Sequence, residues 1–337
     1  MKGIIFGILS LLTGIIILSF TLLAIGIDKI AEVFKTISLP LIFAFLTIHL
    51  VSVSLAVFRW KLILSALGHK IPFLQLLQYN IIGFSVGYIT PVGKIGGAPA
   101  RMVLLDRDKV PFEKGLASIL IDNIVENTFD VLFGIIILSF FFLKLPVSFV
   151  EVPTRWRVLV LLGCAAILSV IIIFYYRMFT GKGVFYSVAR LTRLTRIPLF
   201  SWSEKKLHDV DKLFSSFIRS RPKEVFAIFA ISCLTWIILI LQYKVALLSI
   251  GQSSGIFKLL MIMGVLAVVA VIPVPAGLGV LEFGQAGLFY LLGLDPRVGI
   301  VFALLIRMKD FFVMIFGALF LFQIGLGSLV EKQGKKI

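Results

Sequence analysis

From Ile4 to Ile27 the sequence runs without one charged residue, and apolar stretches of similar length recur to its far end. About 20 such residues in a helix match the hydrocarbon thickness of a bilayer. Hydrophobic residues make up 60% of the chain, where soluble domains carry about 45–50%. These runs give an all-α polytopic membrane protein. The first run is longer than the apolar core of a signal peptide, about 7–15 residues, and no small-residue cleavage site follows it. It is read as a retained helix.

Six full spans are expected, at about 3–27, 39–58, 116–143, 157–176, 224–249 and 298–328. Two further stretches, 72–106 and 256–293, are each broken in the middle by glycine and proline. The first break reads "ITPVGKIGGAPAR" around Pro91 and the second "VIPVPAGLGVLE" around Pro273. Proline and clustered glycine end helices. Non-helical backbone at membrane depth is tolerated only inside protein or beside water. Each stretch is therefore read as a re-entrant hairpin of two half-helices.

The breaks belong to a longer repeat. Lys61 precedes Gly68 as Lys244 precedes Gly251; Pro91 and Gly97 then recur as Pro273 and Gly279, all at an offset of about 183 residues. One repeat covers about 39–143 and the other about 224–328. A connecting span and a basic loop, 157–223, lie between them within a single integral membrane domain, 1–337. Interrupted segments at matching positions in two halves of a membrane chain point to a transporter's binding site.

Charge sets the orientation. Net charge is +16, from 33 basic and 17 acidic residues. In a soluble protein that excess would suggest nucleic acid; here it fits cytoplasmic loops obeying the positive-inside rule, with no nucleic-acid partner. The segment 177–223 holds eleven basic and three acidic residues, so it belongs on the cytoplasmic side of the cell membrane, with both termini. The repeats then start in opposite directions and are expected to be inverted. Within 177–223, Val184, Phe185, Val188, Leu191 and Leu194, then Leu207, Val210, Leu213, Phe214 and Phe217, fall at amphipathic spacing. Helices lying on an anionic inner leaflet and a linker packed on the spans both fit this pattern. Cys164 and Cys233 lie in apolar runs, and His49, His69 and His208 show no ligand spacing. No metal or cofactor is expected.

The span after the first break carries Asp122, Glu126 and Asp130 at helical spacing on one face. A charge at a helix centre costs about 2.5–3.5 kcal/mol on insertion scales, so this stripe should avoid lipid. Asp122, nearest the inner surface, is the one most easily solvated. Arg307 sits about as deep in the last span as Glu126 does in its own. Lys94 and Arg101 flank the first break, and Glu282 follows the second. The expectation is that Glu126 or Asp130 pairs with a basic residue of a hairpin or with Arg307. Near Gly96 and Gly97 the second half-helix begins, where its N–H groups carry about +0.5 charge. With Lys94 and Arg101 that makes an anion site for a phosphate or a carboxylate; Gly279 exposes backbone similarly at the second break.

The segments "FRWKLIL", "TPVGKIGGAPAR", "VENTFD", "PVPAGLGVLE" and "LLIRMKD" resemble the lysylphosphatidylglycerol synthase transmembrane-region family, also described as flippase-like or UPF0104 membrane proteins. The resemblance covers about 10–328. It departs at Ala98 and Asn127, where the family often has an acidic residue and an arginine. It implies lipid translocation. Larger relatives join such a domain to a soluble aminoacyltransferase domain, for which no segment here is long enough. Other relatives are linked to polyisoprenoid-sugar or hopanoid traffic.

The reading is a translocase, not an enzyme, moving a phospholipid or a polyisoprenoid-linked anionic headgroup through a midplane site between the hairpins. Its substrate-binding candidates are Pro91, Lys94, Gly96, Gly97, Arg101, Glu126, Asp130, Pro273, Gly277, Gly279, Glu282 and Arg307. Self-association into a homo-oligomer is compatible with the sequence. Two alternatives stay open. One is an ion-coupled small-solute transporter, drawing on the acidic stripe. The other is a transferase acting on polyprenyl phosphate, against which the outer loops offer only Asp28, Glu32, Glu151 and Asp295 and no paired aspartates.

Overall fold

Apolar residues on every face suit a helix that meets lipid on some sides and protein on others, and the described residues are mostly helical. The computed structural model describes residues 37–89, 96–144, 154–185, 204–271 and 277–334, with isolated positions 19, 23, 28, 32, 33, 35, 187 and 274. Among them are ten helices and no strand. They are α1 (Leu39–Ala66), α2 (Phe73–Ile89), α3 (Gly97–Arg107), α4 (Phe112–Lys144), α5 (Thr154–Thr180), α6 (Glu204–Ser220), α7 (Pro222–Ser249), α8 (Ile256–Val271), α9 (Val280–Leu291) and α10 (Pro296–Gly334). The expected first span, 3–27, lies outside the described residues. Three helices, α1, α5 and α7, are long and apolar enough to cross a membrane by length and composition. Charges inside α4 and α10 set those two apart.

The helix order repeats. Helices α1 to α4 hold 28, 17, 11 and 33 residues, and α7 to α10 hold 28, 16, 12 and 39. Both broken stretches are half-helix pairs. The cap that ends the first helix of each set is also duplicated. Gly68 (φ 89°) and Gly251 (φ 74°) take the left-handed conformation, which glycine adopts without a Cβ penalty. The next N–H then reaches back five residues, His69 to the Leu64 carbonyl at 2.9 Å and Gln252 to the Leu247 carbonyl at 2.9 Å. That bond closes a Schellman motif. Helix α1 outruns the expected 39–58 by two turns, because Arg59 and Lys61 continue the helix and Gly68 is what stops it.

The chain forms two compact units, each assembled from separate segments. The first comprises Met1–Ser54, Leu74–Arg101 and Ile237–Ile337. In it α9 packs on α8 and α10, and Ile300, Val301, Phe302 and Ala303 of α10 are fully buried. The half-helices flanking each break approach closely here, α2 against α3 and α8 against α9. A Cβ on Gly97 would lie 2.6 Å from the Gly83 carbonyl oxygen, and one on Gly284 would lie 2.8 Å from Val265 Cγ1.

The second unit comprises Leu55–Phe73 and Met102–Trp236, and in it α4, α5 and α6 pack on one another. Ile63, Ile121, Val125, Met178, Phe214 and Phe217 form one cluster of its core. Leu207, Val210, Phe214 and Phe217 of α6, which sequence spacing put on one face, are all buried. That face of α6 serves packing on the spans. Asp211 helps hold the loop before it, accepting from the Val184 and Phe185 N–H groups at 2.8 and 3.0 Å. Helix α5 leaves Leu162, Val170 and Ile172 exposed, the pattern of a helix whose solvent is hydrocarbon.

Candidate functional site

In the second unit the acidic stripe of α4 meets a cation that the sequence reading had not singled out. Arg59 of α1 donates from Nε to Asp122 Oδ1 at 2.7 Å, from Nη2 to Glu126 Oε2 at 2.7 Å and from Nη1 to Ser232 Oγ at 3.1 Å. Arg59 and Asp122 are 2% and 1% exposed, while Glu126 is 50% exposed. One expectation is corrected: Asp122 is not a solvated carboxylate but the most buried member of the stripe. Glu126 pairs with Arg59. The reason is geometric: carboxylates at i and i+4 lie one turn apart on one face, so a single guanidinium spans both. Asp130, one turn on, is exposed.

In the first unit Arg307 of α10 forms a bidentate pair with Glu282 of α9. Its Nε donates to Oε1 and its Nη2 to Oε2 at 3.0 Å; Nη2 also donates to the Gly277 carbonyl at 2.8 Å. Glu282 is fully buried, and Arg307 also hydrogen-bonds Tyr88 of α2. Gly277 (φ 62°) and Gly279 (φ 76°), which leads into α9, turn the chain so that its carbonyl faces the guanidinium. Glu282 lies in the first turn of α9, where the helix dipole favours an anion. The second break is thus neutralised from within, which corrects the reading of its backbone as exposed: Gly277 and Gly279 are buried. Two residues after Arg307, Lys309 of α10 pairs with Asp310 at 2.7 Å.

The first break differs. No acidic residue stands in the first turn of α3. Ala100 occupies the position that Glu282 holds in α9, and Arg101 follows it. Arg101 lies against Gly83, where an added Cβ would meet its Cγ and Nε at 2.8 Å.

A family model described as the lysylphosphatidylglycerol synthase TM region matches residues 7–317. The chain belongs to this family. Its relatives include a UPF0104 membrane protein of Pyrococcus horikoshii, 23% identical over 321 residues that cover 90% of this chain and 93% of the relative. Another, of Methanocaldococcus jannaschii, is 23% identical over 324 residues, covering 92% and 91%. A third, of Methanothermobacter thermautotrophicus, is 18% identical over 320 residues, covering 91% and 92%. The protein is thus a membrane protein of the lysylphosphatidylglycerol synthase TM-region family, and the match runs through both units and both breaks.

Of the residues expected to bind substrate, the structure brings Gly277, Glu282 and Arg307 into direct contact, with Gly279 beside them. It places Gly96, Gly97 and Arg101 together at the start of α3, and Glu126 and Asp130 along α4. Pro91, Lys94 and Pro273 lie outside the described residues. Sequence reasoning missed Arg59 and Tyr88. A signal for Arg59 existed: two carboxylates a turn apart in a span require a cation, and Arg59 lies in a segment rich in aromatic and basic residues. Among the described residues no group of His, Cys, Asp or Glu could hold a metal ion.

Proposed function

We propose that this protein is a lipid translocase that carries an anionic phospholipid or lipid-linked headgroup across the cell membrane, without making or breaking a covalent bond. The observation that carries this reading is the difference between the two half-helix N-termini. Glu282 and Arg307 satisfy each other at α9. The first turn of α3 has no acid, has Ala100 where α9 has Glu282, and has Arg101 beside it. A half-helix N-terminus carries a partial positive charge, and with a guanidinium one turn on it suits a phosphate or carboxylate. The family takes its description from a lysylphosphatidylglycerol synthase, which supports a lipid cargo. In this reading the repeats are inverted, and both termini face the cytoplasm. The exposed Lys206, His208, Lys212 and Arg219 of α6 lie against the anionic inner leaflet.

The test is exchange of fluorescently labelled phosphatidylglycerol between leaflets of proteoliposomes, read by dithionite quenching. Wild-type protein should speed exchange above protein-free vesicles. Arg101→Ala should slow it about tenfold or more, since a hydrogen bond to a charged group is worth about 1.5–3 kcal/mol. Exchange no faster than in empty vesicles would remove the reading. Full activity in Arg101→Ala would remove the site.

A further inference from the structure

Helix α2 lies between α3 and α10 in the first unit. On one face Gly83 meets the start of α3, where a Cβ on Gly97 would lie 2.6 Å from the Gly83 carbonyl oxygen. On the other face Ile81 and Ser85 meet α10. Ser85 Oγ lies 3.4 Å from the Val313 carbonyl oxygen. A Cβ on Gly317 would overlap Ser85 Oγ and stand 3.1 Å from the Ile81 carbonyl oxygen. Positions 81 and 85 are one turn apart, and 83 is about 200° round the helix from each. The start of α3 and the body of α10 therefore grip opposite sides of one rod. At the end of that rod Tyr88 is hydrogen-bonded to Arg307, which also holds Glu282 and the Gly277 carbonyl.

These contacts join the two repeats, since α2 and α3 belong to the first and α10 to the second. Gly317 stands in "FGALFL", and the first repeat carries Gly134 at the matching place in "FGIIIL". Gly317 follows Gly134 by 183 residues, as Gly251 follows Gly68. Their surroundings are opposite. Gly317 is buried under α2, whereas nothing stands within 4 Å of a Cβ on Gly134 among the described residues. Lipid alone makes no demand for glycine, which costs about 1 kcal/mol relative to alanine in a helix interior. Equivalent positions of two repeats, one filled and one vacant, match one end state of a two-state exchange. Small residues let helix backbones meet closely, and shear motions proceed by the sliding of packed helices.

We propose that α2 and α10 form a shear joint, closed in this structure at Gly317 and latched by Tyr88 on Arg307. Headgroup transfer opens the joint, while the vacant position at Gly134 on α4 becomes packed in its turn. The proposal rests on the lipid-translocase reading for its cargo. Helix α3 moves with α2, because Gly97 and Gly83 meet with no side chain between them, so the slide carries the receptive tip. Arg307 is anchored by Glu282 and the Gly277 carbonyl, which leaves the Tyr88 hydroxyl as the partner that moves. Removing that hydroxyl weakens the closed state without stripping Arg307 of its carboxylate.

The experiment uses the full-length protein in phosphatidylglycerol liposomes, with Cys164→Ala and Cys233→Ala. Spin labels go on Leu74→Cys of α2 and Phe311→Cys of α10, both exposed positions. Pulsed electron–electron distances report the joint without any transport. The chain with Tyr88 intact should show one main separation, and Tyr88→Phe a second. Adding Gly134→Leu to Tyr88→Phe should abolish the second. Exchange of labelled phosphatidylglycerol should rise about tenfold in Tyr88→Phe, as loss of a hydrogen bond to a charged group allows. In Gly134→Leu it should fall about tenfold with an unchanged thermal midpoint, because the added side chain overpacks the other state alone. A single, unshifted separation in Tyr88→Phe would overturn the joint whatever exchange does. Wild-type exchange in Gly134→Leu would overturn the role of Gly134. A second separation in Tyr88→Phe, with no exchange above empty vesicles in any form of the protein, would overturn the translocase reading and leave the joint standing.

Discussion

Replacing Arg59 by leucine isolates the energetics of the buried triad. The side chain makes three hydrogen bonds, of 2.7, 2.7 and 3.1 Å, and two of them go to carboxylates. Its loss strips Asp122, 1% exposed, of the cation beside it. Removing one partner of a buried ion pair costs about 3–5 kcal/mol, chiefly because the other charge stays buried. Glu126 is half exposed, and an exposed pair is worth about 0–1 kcal/mol. The order follows: Arg59→Leu should cost about 3–5 kcal/mol, and Glu126→Gln about 1 kcal/mol or less. Arg59→Leu combined with Asp122→Leu should recover most of the loss, since apolar replacement of a whole buried pair is often neutral. Equilibrium unfolding in mixed detergent micelles at neutral pH reads all three. A cost below about 1 kcal/mol for Arg59→Leu, or a double variant worse than either single one, would refute the argument.

Three further outcomes are expected. Gly97→Ala places a Cβ 2.6 Å from the Gly83 carbonyl oxygen and should cost about 1–3 kcal/mol by forcing α2 and α3 apart; Gly134→Ala, with open space around it, is the neutral control in the same unfolding assay. Glu282→Gln leaves Arg307 its bond to the Gly277 carbonyl but removes its carboxylate. It should cost about 3–5 kcal/mol, and a thermal midpoint equal to wild type would contradict that. Asp295 sits in the loop before α10, where it accepts the Arg297 N–H at 2.9 Å and pairs with the Arg297 guanidinium at 2.6 Å. Partial burial works against its charge, but the Arg297 bonds outweigh it and hold the carboxyl below its ordinary value of 3.8. A depressed folded-state value means stability that is present above pH 3.8 and lost as pH falls through the folded value. Asp295→Ala should therefore cost about 1 kcal/mol at pH 7, as a lost helix cap does, and less at each step below pH 3.8. A pH-independent difference would show that the charge contributes nothing.

What the sequence revealed and what it hid divide along a physical line. Helix boundaries depend on local terms, so Gly68, Gly251 and the two breaks could be placed from spacing alone, and the half-helices start and stop within a few residues of expectation. Pairings depend on rotation about each helix axis, which depth along a span does not report. Glu126 and Arg307 have similar positions in their spans, yet Glu126 meets Arg59, 67 residues earlier, and Arg307 meets Glu282, 25 residues earlier. The same limit explains why the asymmetry of the breaks was only half legible. Lys94 and Arg101 marked the first break as cationic from composition. Only the contact between Glu282 and Arg307 explains why the second is not its equal, since that break carries its own anion at the place where a headgroup would sit. A duplicated scaffold with one tip internally neutralised has lost the equivalence of its halves. In the proposed translocase a single anionic cargo would therefore meet one receptive tip, the start of α3, where no acidic residue stands in the first turn.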